Sequence, residues 1–287
     1  MKIRTIELEI GVEKPFRVLH ATDNHLCLAD LRDNERKVQL GINRTRVFAG
    51  DHPENLTRYA EELFALSREK GEPIIYTGDF IDFVSAANLE YAKKLFTGAD
   101  VFMAAGNHEY SLYVGEAWED EDYKKQSFDD VLAAFPCNNI WYDERVIGGV
   151  KFVAVDNNYY YIMPEQFERF RAACSDGMPV VLCVHTPLYS ENTYETLMRG
   201  KDVTKALPFL MGTPAHLLDK TSNGGAKRQY PDELTLEFLD FCNHTPNLKA
   251  VIAGHIHAYS ATVLDSGIPQ ISATLGSAGE INEITFR

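Results

Sequence analysis

The sequence predicts a layered α/β fold, and three observations lead there. Between Phe16 and Ala105, short apolar runs alternate with stretches whose apolar residues recur at helical spacing, which is the signature of strands connected through helices. Several of the apolar runs stop abruptly at Asp, Asn or His, and open α/β sheets keep their sites at the carboxyl ends of strands. The composition is that of an average globular protein, with 45% hydrophobic and 24% charged residues in 287. That length suits one large or two small domains, and the even distribution of elements favours a single domain over 1–287.

The elements follow in order. Ile6, Leu8 and Ile10 alternate with polar residues, as in a half-exposed strand. Phe16 to Thr22 is more continuously apolar and reads as a buried strand ending in Asp23-Asn24-His25. A long connection without clear periodicity runs from Leu26 to His52. Pro53 suits a first helical turn, and Leu56, Tyr59, Ala60, Leu63 and Phe64 form one stripe before Lys70-Gly71 ends the helix. Ile74 to Tyr76 is a strand too short to be a helix, broken by Gly78 and followed by Asp79 and Asp82. Ser85 caps a helix with Leu89, Ala92, Leu95 and Phe96 inward. Val101 to Ala105 is a strand ending in Gly106-Asn107-His108-Glu109.

The second half repeats the pattern. The acidic run from Glu116 to Asp122 reads as solvated surface. Ser127 to Phe135 reads as a short helix, with Ser127 and Asp130 as a capping box. Trp141 to Ile147 and Val150 to Val155 form a hairpin through Gly148-Gly149. A helix from Pro164 to Cys174 turns Phe167, Phe170 and Cys174 to one side. Pro179 to Val184 is a buried strand ending in His185. From Leu188 to Tyr230 the pattern weakens, and an irregular insertion or lid is expected over about 188–230. Pro231 and Asp232 open a helix carrying Leu236, Leu239 and Phe241. Leu248 to Ala253 is a strand ending in Gly254-His255-Ile256-His257, and two or three more strands are expected from Ser260 to Arg287.

Five strand ends therefore deliver Asp23-x-His25, Gly78-Asp79-x-x-Asp82, Gly106-Asn107-His108-Glu109, His185 and Gly254-His255-x-His257. In an α/β sheet they would converge on one edge. Histidine and carboxylate together suit Zn, Mn, Fe, Co or Ni, not the all-oxygen cage of calcium. There is no C-x-x-C pair for a thiolate zinc site. The ligands outnumber what one ion needs, so a pair of ions joined by a carboxylate is the economical answer, and two such metals can clamp a phosphoryl group.

In these ordered motifs the chain resembles the calcineurin-like metallophosphoesterases, from Asp23 to His257. The resemblance implies two mixed β-sheets packed as a sandwich and flanked by helices. It implies a binuclear centre of transition-metal ions, Mn, Fe or Zn foremost, and hydrolysis of a phosphate ester by a bridging hydroxide. It implies that Asp23, His25 and His257 hold one metal, that Asn107, His185 and His255 hold the other, and that Asp79 bridges them. His108 would be the acid that helps the leaving oxygen depart, with Asp82 orienting its ring. One departure matters: the residue after Asp82 is Phe83, where the protein Ser/Thr phosphatases of the family carry Arg. Arg44 and Arg46, in the loop after His25, are placed to grip phosphate or else are solvated surface. Tyr159, Tyr160 and Tyr161 read as edge packing or as a pocket wall.

Charge narrows the partners. With 28 Lys plus Arg against 42 Asp plus Glu, the net charge of −14 disfavours nucleic acid and anionic membranes. A small soluble phosphomonoester or phosphodiester is the expected substrate. The competing readings are a metal-binding scaffold without catalysis, and a nuclease or cyclic-nucleotide phosphodiesterase. Five dispersed cysteines and no signal-peptide pattern suit reduced thiols in the cytoplasm.

Overall fold

The computed structural model describes residues 1–114 and 120–287, so positions 116–119 of the acidic run lie outside the described residues. Two mixed sheets form the frame. The first contains β1 (Lys2–Leu8), β2 (Phe16–Ala21), β3 (Ile74–Tyr76), β4 (Val101–Met103) and β11 (Glu280–Phe286), in the order β1-β11-β2-β3-β4. The second contains β5 (Tyr142–Ile147), β6 (Val150–Val155), β7 (Val180–Cys183), β8 (Leu248–Ala253), β9 (Ser260–Val263) and β10 (Pro269–Ser272), in the order β5-β6-β7-β8-β10-β9. The sandwich expected from the resemblance is what forms.

Alternation along each strand builds the layers. Val18, Ile75, Phe102, Phe152, Val181, Cys183, Ala250 and Ile252 meet in one buried cluster between the sheets. Their sequence neighbours face outward: Leu19, Ile74, Tyr76 and Met103 pack under the helices of the first sheet. Val153, Leu182 and Val251 do the same on the second. Both faces of the central strands are thus covered, which is why these runs read as continuously apolar. Truncating a fully buried ring such as Phe152 would cost about 3–5 kcal/mol.

The helices over the first sheet are α1 (Glu35–Ala49), α2 (Asn55–Lys70), α3 (Ala86–Phe96), α4 (Glu121–Lys125) and α5 (Phe128–Ala134). α2 ends at Gly71 in the left-handed conformation, and Ser85 caps α3 by accepting from the Asn88 amide, both as the sequence indicates. α1 is a correction, because the connection 26–52 was read as aperiodic. Of its fifteen residues only Gly41 is buried; Leu40, Phe48 and Ala49 pack half-buried against the core and are interrupted by Arg44 and Thr45, while Ile42 and Val47 are exposed, so its apolar stripe is thin. Its start is set by Asn34, whose side chain accepts from the Lys37 amide. Gly41 lets it press against the loop after β2: a Cβ there would lie 2.8 Å from the Cys27 carbonyl oxygen.

Other expectations are also revised. Ser127 starts α5 without a side-chain cap; its hydroxyl donates to the Tyr110 carbonyl at 3.1 Å instead. The second sheet is backed by α6 (Pro164–Ala173) and α9 (Glu233–His244). In α9 Leu236 is exposed, and the buried positions are Thr235, Phe238, Leu239 and Cys242. The segment 188–230 is not wholly irregular. It holds α7 (Glu191–Met198), α8 (Ala215–Leu218) and a 3-10 turn (Gly224–Gln229), with its own small apolar cluster of Leu207, Leu218 and Ala226. No helix among the described residues is long and apolar enough to cross a membrane.

Candidate metal centre

β2, β3 and β4 run parallel, as do β7 and β8, so their carboxyl ends collect along one edge. Pairing continues past the strands: the amides of Asp23 and His25 donate to the carbonyls of Gly78 and Asp79 at 2.9 and 3.0 Å. On the second sheet the Gly254 amide donates to the His185 carbonyl at 2.9 Å. Hydrogen bonds also join the sheets at this edge, two of them at candidate ligands. The His255 amide donates to Asp23 Oδ2 at 2.9 Å, and His185 Nδ1 meets the Thr77 carbonyl at 2.6 Å.

The motif glycines exist because the loops touch. A Cβ on Gly106 would lie 2.2 Å from Asp79 Oδ1, and one on Gly254 would lie 1.9 Å from Thr22 Oγ1. The backbone is strained here as well. Among described non-glycine residues, positive φ occurs at Asp23, His25, Asp79, His255 and His257, and otherwise only at Tyr159, Tyr160 and Phe209. Such conformations cost about 1–3 kcal/mol each and cluster where function demands them.

Two groups of side chains face each other. In the first, His25 Nε2 and His257 Nε2 are 3.0 Å apart, and Asp23 Oδ1 lies 3.5 and 3.3 Å from them. In the second, His185 Nε2 lies 3.1 Å from His255 Nδ1 and 3.1 Å from Asp79 Oδ2. Asp79 Oδ2 is also 3.9 Å from His25 Nε2, so this carboxylate faces both groups. Asn107 precedes His108, whose amide donates to Asp79 Oδ1 at 2.8 Å, and its own Oδ1 is buried without a hydrogen-bond partner, as is Asp23 Oδ1. Lone pairs gathered this closely repel unless a cation or shared protons lie among them, and the mixed N and O donors suit a transition metal. The residues fit a pair of ions.

The imidazoles are held by their other nitrogens, as ligating histidines usually are. A carbonyl or carboxylate only accepts, so His185 Nδ1 donates to Thr77 and His25 Nδ1 donates to Asp82 Oδ1 at 2.9 Å. Both leave Nε2 for the site. His255 is reversed: its Nε2 meets the Tyr160 hydroxyl at 3.0 Å and its Nδ1 faces the site. Tyr160 is thus a partner of a candidate ligand, a role that three consecutive tyrosines did not reveal.

Asp82 is fully buried and serves both histidines and an arginine. Its Oδ1 lies 3.2 Å from His108 Nδ1, which also meets the Asp82 carbonyl at 2.8 Å. Arg44 grips it with Nε at 2.6 Å and an Nη at 2.8 Å. Arg44 also lies over the Phe48 ring, which stacks on His25 with centroids 4.1 Å apart. α1, invisible as a helix in the sequence, therefore delivers Arg44 and Phe48 to the site. Arg46 lines a separate apolar cleft with Cys27, Val38 and Ile42.

Charge follows this geometry. Burial works against ionised Asp82, but hydrogen bonds from Arg44, His108 and His25 hold its carboxyl well below the usual range. Burial would depress His108; the charges of Asp79 and Asp82 outweigh it and raise the imidazole to about 10. His185 is raised to about 9, burial being overcome by Asp79. His255 goes the other way, to about 3, through burial and then the neighbouring His185 charge. Glu109, to which no role was attached, proves structural to the site. Its Oε1 accepts from the amides of Phe80 and Ile81 at 2.7 and 3.2 Å, and its Oε2 from Asp79 and Gly106 at 2.7 and 2.6 Å. Burial and the Asp79 charge push it up to about 7.

The geometry agrees with what the chain resembles. The family model described as calcineurin-like phosphoesterase matches residues 16–259, and the chain belongs to that family of phosphoric ester hydrolases. A dimetal phosphatase from Danio rerio is similar in structure, with a TM-score of 0.50 and 13% identity over 91% of this chain and 88% of that one. Phosphopantetheinyl hydrolase from Mycobacterium tuberculosis gives a TM-score of 0.47 and 13% identity over 90% and 89% of the two chains. A 5'-nucleotidase from Candida albicans gives 0.43 and 14% over 91% and 46%. Comparison with curated proteins finds no sequence match.

Proposed function

We propose that the chain hydrolyses a small phosphate ester at a two-metal centre. The carrying observation is Asp79, whose Oδ2 faces the first donor group across 3.9 Å and the second across 3.1 Å. Asp23, His25 and His257 would hold one ion, Asn107, His185 and His255 the other, with Asp79 between them. Bound there, transition-metal ions would polarise the phosphoryl group and acidify water.

The chain's own groups do the rest. His108 is the general acid: its Nδ1 is fixed by Asp82, and its Nε2 is left to hold the proton that the departing oxygen needs. The Asp82 carboxylate beside Nδ1 favours the protonated ring. Asp82 orients both this ring and the ligand His25, and Arg44 fixes Asp82. An arginine hydrogen-bonded twice to a buried carboxylate is a support of the site before it is a phosphate contact. A cleft of about 540 Å³ opens over Asp79, His108, His255 and His257 and admits a small ester. All five cysteines are free thiols, which suits the reducing cytoplasm.

The test is a screen of metal-supplemented protein over aryl and alkyl phosphomonoesters and phosphodiesters, with and without chelator. Chelator-sensitive turnover is expected. Stoichiometric metal binding without turnover of any ester would favour the scaffold reading.

A further inference from the structure

One wall of the cleft comes from the segment 188–230, and it presents Leu197, Lys201, Pro208 and Phe209 opposite Ile256 and Tyr259. Phe209 carries two costs that folding does not require. The residue is 43% exposed, and its φ is 55°, a left-handed value that a bulky residue rarely adopts. It is nevertheless held firmly. Its amide donates to Oε1 of the buried Gln229 at 3.1 Å. The next residues pair with the segment after His185: Met211 N donates to the Pro187 carbonyl and Tyr189 N to the Met211 carbonyl, both at 2.9 Å. Phe209 is therefore tied to the same loop as a candidate ligand. Its ring stands edge-on to His255, with centroids 5.8 Å apart and planes at 76°.

Resting on the hydrolase reading, we propose that Phe209 is a specificity residue and that the ester carries a planar aromatic leaving group. An exposed ring in a strained, anchored position beside the reacting centre offers a face for stacking. Leu197 and Pro208 extend the apolar surface, and Lys201 adds a cation at the same wall that suits an anionic ester. Stacking on a single aromatic side chain is a sequence-tolerant interaction with a sizeable effect on affinity. The segment thereby acts as the selector of the leaving group, while the strand ends handle the phosphoryl group.

The experiment compares Phe209→Ala, Phe209→Leu and Phe209→Trp on 1-naphthyl phosphate and cyclohexyl phosphate and on the matching diesters. Taking each substrate's variant-to-wild-type ratio cancels intrinsic reactivity. Phe209→Ala and Phe209→Leu are expected to lower kcat/KM for the naphthyl esters about tenfold, mostly through KM, and to leave the cyclohexyl esters within about twofold. Phe209→Trp should restore the naphthyl preference. Calorimetry with naphthylphosphonate and cyclohexylphosphonate gives the same comparison without turnover. Equal losses on both classes would overturn the aromatic subsite and leave hydrolysis standing. If no ester is turned over, the hydrolase reading fails, and selective loss of naphthylphosphonate binding in Phe209→Ala would still support the subsite.

Discussion

Replacing Arg44 with Met separates two roles that this arginine could have. Asp82 is completely buried and receives two hydrogen bonds from Arg44, one from His25 Nδ1 and one from His108 Nδ1. Met keeps much of the side-chain volume but removes half of the donors. Breaking a buried ion pair by removing one partner costs about 3–5 kcal/mol. Two imidazole donors remain here, and the Arg44 side chain is 23% exposed, so about 2–3 kcal/mol is the reasonable figure. For a chain of this size that lowers Tm by roughly 3–5 °C. The melt should be run on chelated protein, because bound metal adds its own stabilisation. Activity with metal restored should fall chiefly in kcat, since His108 and His25 lose a firmly held partner. A melting temperature within about 1 °C of wild type, with a rise in KM alone, would refute this reasoning and return Arg44 to the phosphate-gripping role.

Two further outcomes follow from the same geometry. His108→Ala should bind metal normally and lose turnover by roughly 10²–10⁴-fold; the loss should be smallest for esters whose leaving oxygen needs no proton, and a uniform loss would remove His108 as the acid. His20 is buried between Thr77 and Asn282, and burial lowers it from 6.5 to about 3. Between those values the unfolded chain binds a proton that the native chain does not, so stability falls as pH drops from about 6.5. That slope should approach about 1.4 kcal/mol per pH unit for this residue. His20→Gln should flatten the decline of the urea midpoint between pH 6 and about 4.5, and an unchanged slope would show that the ring is protonated in place.

The parts of the molecule that were legible in the sequence are those where one residue type has one job. The strand ends are an example, because Asp23, His25, Asp79, His185, His255 and His257 stop apolar runs whose burial is unambiguous. The sheet order was not legible, since β11 enters between β1 and β2 through pairing that no local pattern encodes. α1 was missed because it lies at the site edge and only Leu40, Phe48 and Ala49 reach the core, half-buried, with Gly41 and Arg44 between them and exposed Ile42 and Val47 blurring the stripe. Glu109 was visible in its motif but silent in role, because its four backbone partners lie in loops 28 to 30 residues away or just before it. Asn88 is similar: from α3 its amide ties the Leu26 and Phe83 carbonyls together, at 2.9 and 2.8 Å, and accepts from Leu28. A buried polar side chain that clamps loops looks like any other helix residue until the loops are in place.

The central claim is that Asp79 joins two ions into one centre. The most direct test is metal stoichiometry by plasma mass spectrometry on metal-saturated wild type and Asp79→Asn, after removal of loosely bound ions. Two ions per wild-type chain are expected, with both weakened together in the variant, whereas His257→Ala should weaken one. A single ion in wild type, or two retained in Asp79→Asn with activity intact, would contradict the account.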